Sequence, residues 1–255
     1  MKNKTIVFTI LILAILTSQA NAFWSPATKN LYKIIKIYDN AGTASVKRIT
    51  YLSGLSSKEL GQVLGKLKLS NKALEDTFIR IAIHKKVVTR KEAQQLFSGL
   101  SGVPGFRPTL KKIIGNNRHG TKGHLNELKI ANNASVAGFK VLGIGQKFKD
   151  PAKKALTDID VVLKKGNRTF IIEAKAYDKT LIDKIHYRKD LATLAVYKKQ
   201  HRNSDIVPIF TFTNKPQDLA YFKFLNNEAE KQGVKLIFGN PYAQIEQIKM
   251  LDKIL

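Results

Sequence analysis

The apolar positions change rhythm once along the chain. From Ser25 to about Ser101 they recur at helical spacing: Leu31, Ile34, Ile35 and Tyr38, then Leu74, Phe78, Ile81 and Ala82. The front part therefore predicts helices, with no strand evident. Ser56-Ser57-Lys58-Glu59 has the order of a capping box and predicts a helix start, and Thr89 to Phe97 predicts another helix. SGLSGVPGFRP, residues 98–108, is rich in helix breakers and reads as a linker or domain boundary.

Beyond it, helices alternate with apolar runs of strand length. A helix from about Lys122 to Ala137 leads into a strand from Phe139 to Ile144. Asp158–Lys164 and Thr169–Ala176 are two more strands, and a helix follows from about Leu181 to Gln200. A strand at Ile206–Thr213, a helix at Gln217–Lys231, a short strand at Val234–Phe238 and a helix at Tyr242–Ile254 complete the pattern. No internal repeat is present. The expected class is α/β, a mixed central sheet flanked by helices and preceded by an all-helical N-terminal region. The expected division is 1–22, 23–105 and 106–255.

The stretch TFIIEAKAYD, residues 169–178, breaks its own apolar run. A strand alternates faces, so Glu173 and Lys175 point one way while Ile172, Ala174 and Ala176 point the other. Gly166-Asn167 is a favoured two-residue hairpin turn between this strand and the preceding one. If Lys165 pairs with Arg168, Asp160 falls opposite Glu173 and Asp158 falls opposite Lys175. Neighbours across such a ladder have Cβ atoms about 5 Å apart. Two facing carboxylates repel unless a positive charge lies between them. A hard divalent cation such as Mg²⁺ or Mn²⁺ suits that position, held by one or two carboxylates plus water and phosphate oxygen. Lys175 is then placed to position or deprotonate an attacking water, or to stabilise charge building on a phosphate. Glu127, on the preceding helix beside the apolar stripe of Leu128, Ala131 and Ala134, can lean over the sheet toward the same point. Asp158 is assigned to pairing with Lys175. Taken alone, Glu-x-Lys in a strand also describes an ordinary solvated face with a weak surface ion pair.

Net charge sharpens the choice. The chain carries 44 Lys and Arg against 19 Asp and Glu, a formal charge of +25. That balance argues against an enzyme of neutral metabolites and for a polyanionic partner. Lys2 and Lys4 precede an apolar run from Ile6 to Leu16, and Ala20-Asn21-Ala22 offers small residues at cleavage spacing. This is the order of a secretory signal peptide, and the run falls short of the roughly 20 residues that span a bilayer. A secreted or periplasmic protein with no span left after cleavage is expected. With no cysteine in the chain, disulfides, thiolate metal sites and a cysteine nucleophile are excluded.

Together, GHLNELKIANNASVAGFKVL with Glu127, TDIDVVL with Asp160, and FIIEAK with Glu173 and Lys175 resemble the PD-(D/E)XK, or restriction endonuclease-like, nuclease superfamily. The helical front and secreted setting resemble polymorphic or contact-dependent toxins carrying such a nuclease. The resemblance covers about residues 120–240. It implies Asp160 and Glu173 as metal ligands with the backbone carbonyl of Ala174, Lys175 as the catalytic lysine and Glu127 as a supporting acid. Ile159 stands where the family has its proline. It also implies Mg²⁺ or Mn²⁺, a nucleic-acid substrate and an immunity protein as a further partner.

Other signals are weaker. Asn116 to His124, including Lys122, reads either as a phosphate cradle or as a flexible basic loop. Arg188, on the helix after the strand that carries Glu173 and Lys175, is a candidate substrate contact by charge and position. Lys198, Lys199, His201 and Arg202 read as nonspecific phosphate attraction. Two rival classes stand beside the nuclease. One is a non-catalytic cationic nucleic-acid-binding protein on a nuclease-like fold. The other is a membrane-active toxin using KNLYKIIKIY, residues 29–38. DNA against RNA, and endo against exo cutting, stay open.

Overall fold

The computed structural model describes residues 49–66, 71–115, 118–149, 156–177, 182–202 and 204–254. The expected signal segment and residues 29–38 lie outside them. The chain divides into two compact units, residues 1–54 and 55–255. Of the first unit only 49–54 are described, with 49–53 helical.

The second unit begins with helices. They are α1 (Ser57–Lys66), α2 (Asn71–His84), α3 (Arg90–Leu100), α4 (Phe106–Gly115) and α5 (Arg118–Val136). Two of their starts follow directly from sequence. The backbone N–H of Ser56 donates to Glu59 at 2.9 Å and that of Glu59 to the Ser56 hydroxyl at 3.3 Å, the reciprocal capping box. Thr89 and Glu92 make the same box at α3. Buried Leu60, Phe78, Ile81, Leu96, Leu100, Leu110 and Ile113 supply the apolar stripe that joins these helices, and α4 and α3 both pack on α5.

The division expected at 105/106 is a turn within this unit. The backbone N–H of Ile144 donates to the carbonyl of Pro104 at 2.9 Å. Gly105 has φ +87, and a Cβ there would lie 1.7 Å from the Ile144 oxygen. Glu75, buried in α2, accepts from the Ser101 hydroxyl at 2.8 Å and the Gly102 N–H at 3.2 Å. The glycines and proline that read as a linker serve a close approach of two backbones instead.

The rest is a five-stranded mixed sheet in the order β1-β2-β3-β4-β5. The strands are β1 (Lys140–Lys149), β2 (Leu156–Lys165), β3 (Arg168–Lys175), β4 (Asp205–Phe212) and β5 (Lys235–Phe238). Three helices complete it: α6 (Lys184–Gln200), α7 (Leu219–Lys231) and α8 (Pro241–Ile254). Strands β1 to β3 are antiparallel; β3, β4 and β5 are parallel. The parallel steps need crossovers, which α6 and α7 provide. The expected α/β class is therefore the observed one, although β1 runs on past Ile144 to Lys149. Its register shifts between Val141 and Gly143, which fits a glycine in a bulge.

One sheet face packs Ile171 and Phe210 against Tyr187, Leu191 and Leu194 of α6 and Leu225 and Ala229 of α7. By the pleat, Phe170, Ile172 and Ala174 face the other way, and α5 packs against β1, β2 and β3. Phe139 and Phe170 meet edge to face at 5.6 Å. No helix among the described residues is long and apolar enough to cross a membrane.

Candidate active site

The hairpin forms at the expected turn. Gly166 has φ +56, and Lys165 pairs with Arg168. The ladder then runs in the expected register through Val161 and Ile172. There it ends. Instead of continuing face to face with Glu173, Asp160 turns its carboxylate to the backbone: the Ala174 N–H donates to Oδ2 at 2.7 Å. A side chain has replaced a main-chain partner, so β2 and β3 part at Asp160 and leave a fork. Within a strand the N–H and C=O of one residue point to the same side. The Ala174 carbonyl therefore faces the fork as well.

The charges around this fork come from four elements. Glu173 and Lys175 lie on β3, and the Lys175 ammonium is 2.6 Å from Glu173 Oε1. It is also 2.9 Å from Asp190 Oδ2 on α6. This corrects the assignment of Asp158 to Lys175. Asp158 is exposed and sits opposite Lys147 of β1, and its charge reaches the site only as repulsion on Glu173. Glu127, buried on α5, lies near enough for its charge to add to the repulsion felt by Asp160. His124 Nδ1 lies 2.8 Å from Glu127 Oε1.

Burial dominates the electrostatics. It pushes the Asp160 carboxyl well above the usual carboxylate range, with Glu173 and Glu127 adding to the effect. Burial likewise pushes Glu173 up to about 7, against the pull of Lys175. Burial alone would lower the Lys175 pKa, but Glu173, Asp190 and Asp160 overcome that and hold the ammonium firmly protonated. The fork thus holds acids short of positive charge around one fixed cation.

Two expected contacts are not brought into this cluster. Arg188 is turned to α7, where its Nε lies 2.5 Å from Glu228 Oε2 and its guanidinium lies over the Phe224 ring at 5.3 Å. Lys122 is exposed, and five residues of helix place it well round α5 from Glu127. The segment expected as a basic loop is already helical from Arg118; Asn116 and Asn117 lie outside the described residues.

Asp190 escaped the sequence reading, and His124 was read only as part of the basic 116–124 segment. Asp190 joins only because the β3–β4 crossover lays α6 over β3, which no local pattern announces. His124 was legible in principle, since it stands three residues before Glu127 on one helix face. Reading 116–124 as loop concealed it.

Among the described residues no group of three or more His, Asp and Glu side chains is set to hold a metal ion. Mg²⁺ asks for less: one or two carboxylates, with water and substrate oxygens completing an octahedron. Asp160, Glu173 and the Ala174 carbonyl are the oxygen groups of the fork that could take part in such a site. A cation there would offset the charge repulsion that adds to burial in raising these two carboxyls.

No protein-family model and no curated protein matches the chain. A solved structure, protein VC1899 from Vibrio cholerae, is similar over 91% of this chain and 57% of its own, at 13% identity and a TM-score of 0.34. The match thus spans less than two thirds of that protein's length, and at this score it carries no argument about activity.

Proposed function

We propose that the chain is an exported, divalent-metal-dependent nuclease of the PD-(D/E)XK kind, hydrolysing phosphodiester bonds of DNA or RNA. One observation carries this reading: Asp160, Glu173, Lys175 and Glu127 converge at the fork where β2 and β3 separate. The net charge of +25 supports a polyanionic substrate. Asp160, Glu173 and the Ala174 carbonyl would hold the ion, which when bound supplies Lewis acidity toward a phosphate oxygen and an acidified water.

The chain's own residues have distinct tasks in this reading. Asp160 is fixed by the Ala174 N–H, so its other oxygen is presented in a set direction. Lys175 stays protonated, which suits it to orient the attacking water and stabilise charge on the phosphate rather than to remove a proton. Asp190 holds the ammonium from the helix side. Glu127 and His124 form a second polar pair beside the ligands. Delivery as a toxin or effector, with an immunity protein that blocks the fork, is part of the same proposal.

The test is cleavage of plasmid DNA and of a structured RNA by the purified chain, with Mg²⁺, Mn²⁺ or EDTA. Glu173→Gln and Lys175→Ala should each lower the rate by at least about 10²-fold, the scale of losing one acid–base or charge-stabilising group. Undiminished cleavage by folded variants would remove the assignment. The alternative is a cationic nucleic-acid-binding protein without catalysis. The closed Lys175–Glu173–Asp190 arrangement favours it, since the lysine occupies the Glu173 oxygen Oε1 that an ion would otherwise take. It predicts salt-sensitive binding, no cleavage, and no thermal shift on adding Mg²⁺.

A further inference from the structure

The strands β3 and β4 run parallel, so both open onto one edge, where the loops to α6 and α7 begin. Ligands of open α/β sheets collect at this edge. It carries exposed apolar side chains: Ile185 is 75% exposed, Leu219 64% and Tyr177 36%. Each aliphatic stands in the first turn of its helix with a lysine four residues on, Lys189 after Ile185 and Lys223 after Leu219, hence on the same helix face.

Two more lysines lie over aromatic rings at this edge: Lys184 over Phe224 at 4.9 Å and Lys215 over Phe222 at 4.5 Å. Among the described residues none of these four lysines pairs with a carboxylate. Among the described residues of the edge, the acids Asp183 and Asp218 are turned to the backbone as N-caps of α6 and α7. Tyr177 is held firmly: its carbonyl accepts from Thr213 Oγ1 at 3.0 Å and from Asn214 Nδ2 at 2.7 Å. The edge is therefore fixed, aromatic and aliphatic in its contacts, and positive in charge.

Resting on the nuclease reading, we infer that this edge binds an unpaired nucleic-acid strand, with Tyr177 stacking on a base beside the phosphate held at Lys175. Tyr177 follows Lys175 by two residues, at most about 7 Å of chain, a reach of one to two nucleotides. A base offers its face only when it is out of a duplex stack, so exposed Tyr, Ile and Leu favour unpaired strands. A duplex-binding surface would instead offer mainly polar groups to phosphates. The four lysines beside these apolar groups supply the phosphate contacts.

The experiment uses the full chain carrying Asp160→Asn, to stop cleavage, and fluorescence anisotropy at fixed salt. The probes are a labelled unpaired oligonucleotide of about 12 nucleotides and the duplex of the same sequence. Unpaired strand should bind at least about 10-fold tighter, and Tyr177→Ala should weaken it about 5-fold or more while Tyr177→Phe retains it. Ile185→Ser should weaken it in the same direction. Equal or tighter binding of duplex, or Tyr177→Ala binding as the parent does, overturns the inference. If the unmutated chain still cleaves nucleic acid in that case, the nuclease reading survives the loss. Binding of neither probe together with no cleavage removes both.

Discussion

Asp160 Oδ2 accepts the backbone N–H of Ala174 at 2.7 Å, in the place where the β2–β3 ladder would otherwise continue. A carboxylate kept in that position is costly, because burial and the Glu173 and Glu127 charges all disfavour its ionised form. Asparagine retains an oxygen for the Ala174 N–H and removes the charge. Asp160→Asn should therefore raise stability in EDTA at pH 8 by about 1–2 kcal/mol while abolishing cleavage. Urea denaturation of both proteins checks it. Asp160→Ala, which also orphans the N–H, should gain less than Asp160→Asn or lose stability.

The Lys175 ammonium is shared by Glu173 and Asp190, all three largely sheltered from water. Removing the cation leaves two acids without compensation. Lys175→Met should cost about 3–5 kcal/mol at pH 8. Pairing it with Asp190→Asn in a double-mutant cycle should reveal a coupling of about 1–3 kcal/mol. A coupling near zero would show that Asp190 does not hold the lysine.

The pH dependence has a definite sign. Burial holds the Glu173 carboxyl up to about 7, above the 4.5 of a free glutamate. Between those values the folded protein keeps a proton that the unfolded chain has released, so stability falls as pH rises through that window, by about 2–3 kcal/mol. Asp160 acts in the same direction. Lys175 does not contribute to this slope: its raised pKa gives stability that is complete below about pH 10 and lost only in alkali. Denaturation midpoints in EDTA at pH 5 and pH 8 measure the slope, and Glu173→Gln should flatten it.

Divalent cations should reverse that trend. Mg²⁺ competes with protons for the same carboxylates, so its stabilisation should be large at pH 8 and small at pH 5. Thermal unfolding with and without Mg²⁺ at both pH values checks this. Asp160→Asn should lose most of the pH 8 gain.

Gly105 tests the union of the helical region with the sheet. Its φ is +87, and a Cβ added there would meet the Ile144 oxygen at 1.7 Å, so the position has no space for a side chain. Gly105→Ala should destabilise by about 3 kcal/mol and loosen α4 from β1 together. A neutral outcome, read by chemical denaturation, would mean that 98–108 is a true linker.

Much of the fold was legible locally. The hairpin turn at Gly166-Asn167 set the β2–β3 register from Lys165–Arg168 to Val161–Ile172, because a two-residue turn leaves no freedom to slip. The capping box at Ser56 marked a helix start, since its hydrogen bonds span only three residues. Composition misled at 98–108, where glycine signals both loops and close packing. Glycine also hid the length of β1, whose bulge leaves Leu142 without a partner across the ladder.

By itself the sequence determined which acids and which lysine share β3 and its partner β2, and that a strongly positive chain encloses them. Those properties follow from pleat, turn and charge, all local. Only the tertiary structure decided that Asp160 leaves the ladder to hold the Ala174 N–H, that Asp190 and not Asp158 completes the Lys175 pair, and that Arg188 is taken by Glu228. The last two depend on where the crossover helices settle against the sheet, which is set by packing of residues distant in the chain. The first depends on a side chain taking a main-chain partner's place, which no strand pattern announces.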